Sequence, residues 1–239
     1  MFLLLNKNNF VRISGILAIF GMTMILMADI KLCYMPLSSK EYSIFRAALT
    51  RSKEEIIFYS KFALAGTLLV IAGMYHFYLT LRRTNKILAW VTVGIYIFSY
   101  ANAAIYYAYL AYIMNVAKII MPIQVKIPFF MRHMYFTFQI QYFYFIIGGS
   151  ILFFISLGFF KNNYPKWYIW FNPLYLLLVF RLGVPMFATP EYAGFFITAS
   201  PNLAMLITLF FSTILLWKKS IDDLIPDLQT NETSYAREV

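Results

Sequence analysis

Ile13–Ala28, ISGILAIFGMTMILMA, is a charge-free run that leads directly into Asp29-Ile30-Lys31. Extended to Tyr34 it has the length, about 20 residues at about 1.5 Å each, that crosses ~30 Å of hydrocarbon. Similar blocks recur along the chain, and we read six spans: 13–34, 56–81, 87–113, 137–160, 168–184 and 194–217. The expected architecture is all-α, a polytopic bundle of about six transmembrane helices. Residues 1–217 form its single domain, and 218–239 form a polar, flexible tail.

Composition agrees. The chain is 62% hydrophobic, 20% aromatic and 13% charged, whereas a soluble domain is nearer half apolar and a quarter charged. The net charge of +10 is explained by Lys and Arg flanking the spans. No basic stripe with interleaved stacking aromatics stands outside the apolar runs, so a nucleic-acid partner is not expected. The single cysteine, Cys33, rules out an internal disulfide and a cysteine-based metal cluster. Lys7 and Arg12 resemble the start of a signal peptide. Asp29 and Lys31 then stand where small residues would mark cleavage, so the segment is expected to remain as the first span.

The connections 82–86 and 161–167 are short and basic, with Arg82, Arg83, Lys86, Lys161 and Lys166 and no acid. This bias predicts both termini on the cytoplasmic side. The Asn-, Lys-, Ile-, Tyr- and Phe-rich usage points to a bacterial inner membrane. In the first connection, Ser38-Ser39-Lys40-Glu41 has a capping-box pattern, followed by Tyr42, Phe45, Ala48 and Leu49 on one helical face. A short interfacial helix is expected there, with Lys40, Arg46 and Arg51 toward lipid headgroups. Ser52-Lys53-Glu54-Glu55 repeats the pattern at the start of the second span. Ala101, Ala104, Ala108 and Ala111 in span three recur at helical spacing and predict a packing seam, as do Gly15, Ala18 and Gly148-Gly149-Ser150.

Two charges interrupt this apolar frame: Asp29, and Arg181 between Leu176–Phe180 and Leu182–Val184. A charge at the bilayer centre costs roughly 2.5–3.5 kcal/mol on insertion scales, so such residues pair or line a site. Counting about 1.5 Å per residue from the short-loop ends places Asp29, Asn102, Arg181, Asn202 and Gln141 in one layer. That layer falls in the outer third of the bilayer. Ser200-Pro201-Asn202 has the form of a helix start, a serine cap with proline at the first helical position. A helix beginning inside the membrane turns free N–H groups toward an anion; the alternative is an ordinary proline kink.

Asp29 and Arg181 therefore have two readings, a buried ion pair between spans one and five and a ligand pocket. In the pocket, Arg181, Asn202 and the backbone near Ser200 hold an anionic or polar head, Asp29 and Asn102 orient it, and Gln141 is a further ligand-binding candidate. Aromatic faces of spans three and four suit an apolar tail. The expected function is binding or transport of a small amphiphilic or lipid-derived ligand, with membrane lipids as partners. The alternatives are an intramembrane enzyme using Asp29 or His133 as base, and a structural accessory subunit. By depth, His76 lies too far from Asp29 and Ser200 for a Ser–His–Asp triad and reads as an interfacial side chain. No metal signature, phosphate loop or cofactor motif is present.

Overall fold

A computed structural model of the chain describes residues 7–34, 44–82, 85–123, 126–160 and 163–219, and no strand occurs among them. The helices are α1 (Lys7–Leu32), α2 (Ile44–Thr50), α3 (Lys53–Gly73), α4 (Tyr75–Leu81), α5 (Lys86–Ile120), α6 (Phe129–Phe159), α7 (Pro173–Leu178), α8 (Val184–Phe187) and α9 (Pro190–Leu216). Five stretches are long and apolar enough to cross a membrane: Asn9–Leu32, Lys53–Leu81, Lys86–Ile120, Phe129–Phe159 and Tyr192–Leu216.

The expected fifth span, 168–184, is different. It is a composite rod built from a 3-10 helix (Lys166–Phe171), α7, a π turn (Val179–Gly183) and α8, and its apolar part, Pro173–Phe187, is shorter than a full span. Prolines cause the breaks. Asn172 caps α7 by accepting from the Leu174 N–H at 2.7 Å, with Pro173 at the first position. Pro185 has no N–H to give the preceding turn, and the Val184 N–H reaches back five residues to the Val179 carbonyl.

The rod follows α9 in the opposite direction. Tyr168 donates to the Thr208 carbonyl at 2.7 Å, and Arg181 donates to the Ile197 carbonyl at 3.2 Å. The start of α1 and the end of α9 consequently meet, with the Arg12 Nε donating to the Trp217 carbonyl at 2.7 Å.

α1 is the central helix and packs along α3 and α9. Lipid tails are as apolar as leucine, so close backbone approach contributes more here than water exclusion. A Cβ on Gly21 would come within 2.5 Å of the Gly66 carbonyl oxygen, and one on Gly73 within 2.4 Å of the Ala18 Cβ. Gly15, expected at a seam, packs against Thr213 and His76. The alanine stripe of α5 is not a seam within this bundle: Ala108 is exposed and Ala101, Ala104 and Ala111 are half-buried. The opposite face, with Tyr96, Tyr100 and Tyr107, is buried instead. These rings fill the interior, and the hydroxyls of Tyr96 and Tyr107 serve buried polar partners, Ser150 and Asp29.

The capping box before α3 forms as read. Ser52 Oγ accepts from the Glu55 N–H at 3.0 Å, and Glu55 Oε2 accepts from the Ser52 N–H at 2.8 Å. The Ser38–Glu41 pattern, Lys40, Tyr42 and the tail from residue 220 lie outside the described residues, as do the side chains of Phe45 and Arg46. Arg51 turns toward protein rather than outward. Its Nη2 donates to the Tyr34 carbonyl at 3.4 Å, and its own carbonyl accepts from Lys118 Nζ.

Candidate functional site

Asp29 lies in the last turns of α1 and is 5% exposed. One carboxylate oxygen accepts from the Tyr107 hydroxyl of α5 at 2.6 Å. The other accepts from Asn202 Nδ2 of α9, also at 2.6 Å. Asn202 Oδ1 in turn accepts from the Tyr142 hydroxyl of α6 at 2.6 Å. Three helices thus meet at one carboxylate, and α6 joins them through Asn202. A buried carboxylate requires such donors, because each lone pair withdrawn from water without a partner costs free energy.

Arg181 is not part of this cluster, and the expected ion pair is not among the contacts of the described residues. Pro201 supplies the reason. It lies within an unbroken α9, so no helix starts at Ser200, and its missing N–H releases the carbonyl four residues earlier, that of Ile197. Ser200 Oγ donates to that carbonyl at 3.2 Å, and Arg181 Nη1 does so at 3.2 Å as well. The guanidinium is otherwise exposed and sits over the Phe143 ring, 5.0 Å from its centroid. The two sequence clues, Arg181 and Ser200-Pro201, do meet in space. They meet at a freed carbonyl and not at a helix N-terminus.

The other expected site residues divide. Asn202 binds Asp29 directly. Asn102 is buried, but its amide donates to the Phe98 carbonyl of its own helix at 2.9 Å. Gln141 is exposed, and its neighbour Tyr142 is the inward residue, since successive helical side chains point about 100° apart. His133 is also exposed and stacks on Phe129, with centroids 5.9 Å apart.

Sequence reading missed Tyr107 and Tyr142. The available signal was tyrosine inside spans, where each buried hydroxyl needs a partner. Tyr100, on the same face of α5, packs edge-on against Tyr142 with centroids 6.1 Å apart. Its hydroxyl is fully buried and has no hydrogen-bond partner.

A second buried polar cluster lies toward the end of the bundle where α1 begins and α9 finishes. His76, expected at the interface, is fully buried in α4. Its Nδ1 lies 3.1 Å from the Val11 carbonyl and its Nε2 lies 2.7 Å from Ser212 Oγ. A carbonyl only accepts, so Nδ1 carries the proton and the Ser212 hydroxyl donates to the neutral ring at Nε2. The Tyr164 hydroxyl continues the chain, 2.6 Å from Ser212 Oγ and 2.9 Å from Thr80 Oγ1. Neither Asp29 nor Ser200 takes part, in keeping with the rejected triad. Serine, imidazole and carbonyl here are ordered as a nucleophile, base and orienting group would be. Ser212 and His76 are both closed off from solvent, and the cluster acts as a clasp joining α1, α4, α9 and the turn at Tyr164.

No protein-family model, curated protein or solved structure matches the chain. The functional reading therefore rests on these contacts.

Proposed function

We propose that this is a multi-pass membrane protein that binds or transports a small amphiphilic or lipid-derived ligand with an anionic head, which Arg181 receives at the lipid-facing surface. The observation that carries the reading is the placement of Arg181. A guanidinium has five N–H donors, and this one spends a single hydrogen bond on Ile197 while lying exposed over Phe143. Around it the wall is apolar, with Phe180 stacked on Phe196 at 5.9 Å and Leu182 exposed. An exposed charge in such surroundings calls for an anionic partner, and carboxylate or phosphate matches the planar fork.

Behind Arg181 the wall is thin. Phe143 touches Arg181 while the adjacent Tyr142 reaches Asn202 and, through it, Asp29. The backbones of α6 and α9 barely approach one another, so side chains close this seam. A ligand held at Arg181 is linked to the buried carboxylate through Phe143, Tyr142 and Asn202.

In this reading the composite rod 166–187 is the sixth crossing, and both termini are cytoplasmic. The short basic connections 82–86 and 161–167, with Arg82, Arg83, Lys86, Lys161 and Lys166, support that orientation.

Native mass spectrometry of the detergent-solubilised protein with oleate, and with oleyl alcohol as the uncharged control, tests the proposal. The wild type should retain oleate at least about tenfold better than the alcohol, the range of a charge-assisted hydrogen bond. Arg181→Gln should lose that preference while keeping the wild-type unfolding transition. Equal retention of the two probes by the wild type, or an unchanged preference in a folded Arg181→Gln protein, overturns it.

A further inference from the structure

We propose that anion capture at Arg181 is coupled to protonation of Asp29, so that the protein takes up an anionic amphiphile and a proton together. The coupling rests on the amphiphile reading and adds a second ligand to it, with Asp29 as that ligand's site.

Asp29 and Arg181 carry opposite charges in apolar segments, Asn9–Leu32 and Pro173–Phe187, without neutralising one another. Asp29 is held by the Tyr107 hydroxyl and the Asn202 amide, both uncharged, and no cation bonds it among the described residues. Neutral donors only partly offset the desolvation of a buried carboxylate, so a counter-charge stabilises it. The described residues contain no cluster of His, Cys, Asp and Glu side chains suited to a metal ion. A proton is the counter-charge that fits. It adds to a carboxylate oxygen, cancels one negative charge and breaks no other covalent bond. The Tyr107 oxygen, able to accept as well as donate, already lies 2.6 Å from that carboxylate.

Coulomb's law sets the sign of the coupling. Arg181 is fixed to the Ile197 carbonyl and Asp29 to the Asn202 side chain. Those two residues are five apart on α9, a rise of about 7.5 Å. With a helix about 10–12 Å across, the guanidinium and the carboxylate stand roughly 15 Å apart. An anionic head at Arg181 thus approaches a second negative charge through protein and lipid, which screen far less than salt water. Ionised Asp29 opposes the anion, and protonated Asp29 does not. By linkage, the bound anion favours the proton to the same degree. At an effective dielectric constant of about 20 the change in affinity is about sixfold.

The other titratable groups leave this role to Asp29. Tyr107 and Tyr100 face it from α5, Tyr142 from α6, and only the uncharged Asn202 from α9. On α1, Lys31 is exposed, and Cys33, one turn beyond Asp29, is acted on by Arg51. Lys53, Glu54, Glu55 and Lys61 of α3 are all exposed. His133 of α6 is exposed as well and lies ten residues before Phe143.

The test compares retention of dodecanesulfonate, an amphiphile ionised throughout the range used, with that of uncharged dodecanol. Native mass spectrometry reads both for the full chain in dodecyl maltoside micelles, at about pH 8 and about pH 5. The wild type should prefer the sulfonate, and more strongly at the lower pH, approaching about sixfold. Asp29→Asn should show the stronger preference already at about pH 8 and change little with pH. Asp29→Glu keeps the charge and should match the wild type at about pH 8, which separates charge from packing. A wild type without a sulfonate preference, or an Arg181→Gln protein that keeps it, brings down the amphiphile reading and the coupling with it. A preference that requires Arg181 but is unaffected by pH, or is the same in Asp29→Asn as in the wild type, overturns the coupling alone. So does a pH dependence that persists in Asp29→Asn, which would belong to His133.

Discussion

The His76 cluster and the Asp29 cluster are both buried, are both built on α1 and α9, and lie toward opposite ends of the bundle. They differ in how their hydrogen bonds close. Around His76 the neutral chain runs from the Val11 carbonyl through imidazole, Ser212 and Tyr164 to Thr80, and every member has a partner. Around Asp29 a carboxylate is met only by neutral donors, the Tyr107 hydroxyl and the Asn202 amide. A closed neutral network stabilises a fold. An ionisable one has a second protonation state available to it.

That contrast breaks first if the two clusters respond alike to mutation. His76→Ala should cost roughly 3 kcal/mol, combining the cavity it leaves with the loss of two buried hydrogen bonds. Asp29→Asn keeps the shape and an acceptor for Tyr107, and should stay within about 1 kcal/mol of wild type. Reversible unfolding in mixed micelles measures both, and a reversed order would assign the structural role to Asp29. Tyr164→Phe sharpens the same comparison on a smaller scale. It removes one link of the clasp and should cost about 0.5–1.5 kcal/mol by the same measurement. Smallest is Pro201→Ala, which restores a backbone N–H for the Ile197 carbonyl that Ser200 and Arg181 now serve. Unfolding free energy should move by less than about 1 kcal/mol, and a larger loss would show that Pro201 itself shapes the Asp29 site.

Much of the fold could be read locally. Apolar length marked the five long helices, and Ser52 with Glu55 announced the start of α3, because hydropathy and capping depend on near neighbours. Depth counting also brought Asp29 and Asn202 to one layer, and they are bonded. Counting depth says nothing about direction around a helix axis, and there the reading failed. Gln141 turned out to face outward where Tyr142 faces in, and the alanines of α5 gave way to its tyrosines. Residues 168–184 read as one span because their apolar content is nearly continuous, while the breaks within 166–187 come from backbone hydrogen bonds that Pro173 and Pro185 cannot make.

Sequence alone determined that this chain has helices long and apolar enough to cross a membrane and two charges, Asp29 and Arg181, that would be costly there, because the transfer of charge into hydrocarbon depends on the residue and its immediate surroundings. Only the tertiary structure decided that the two do not pair. Rotation about each helix axis and the carbonyl freed by Pro201 sent Arg181 to the outer wall, and the tyrosines of α5 and α6 closed around Asp29 in its place.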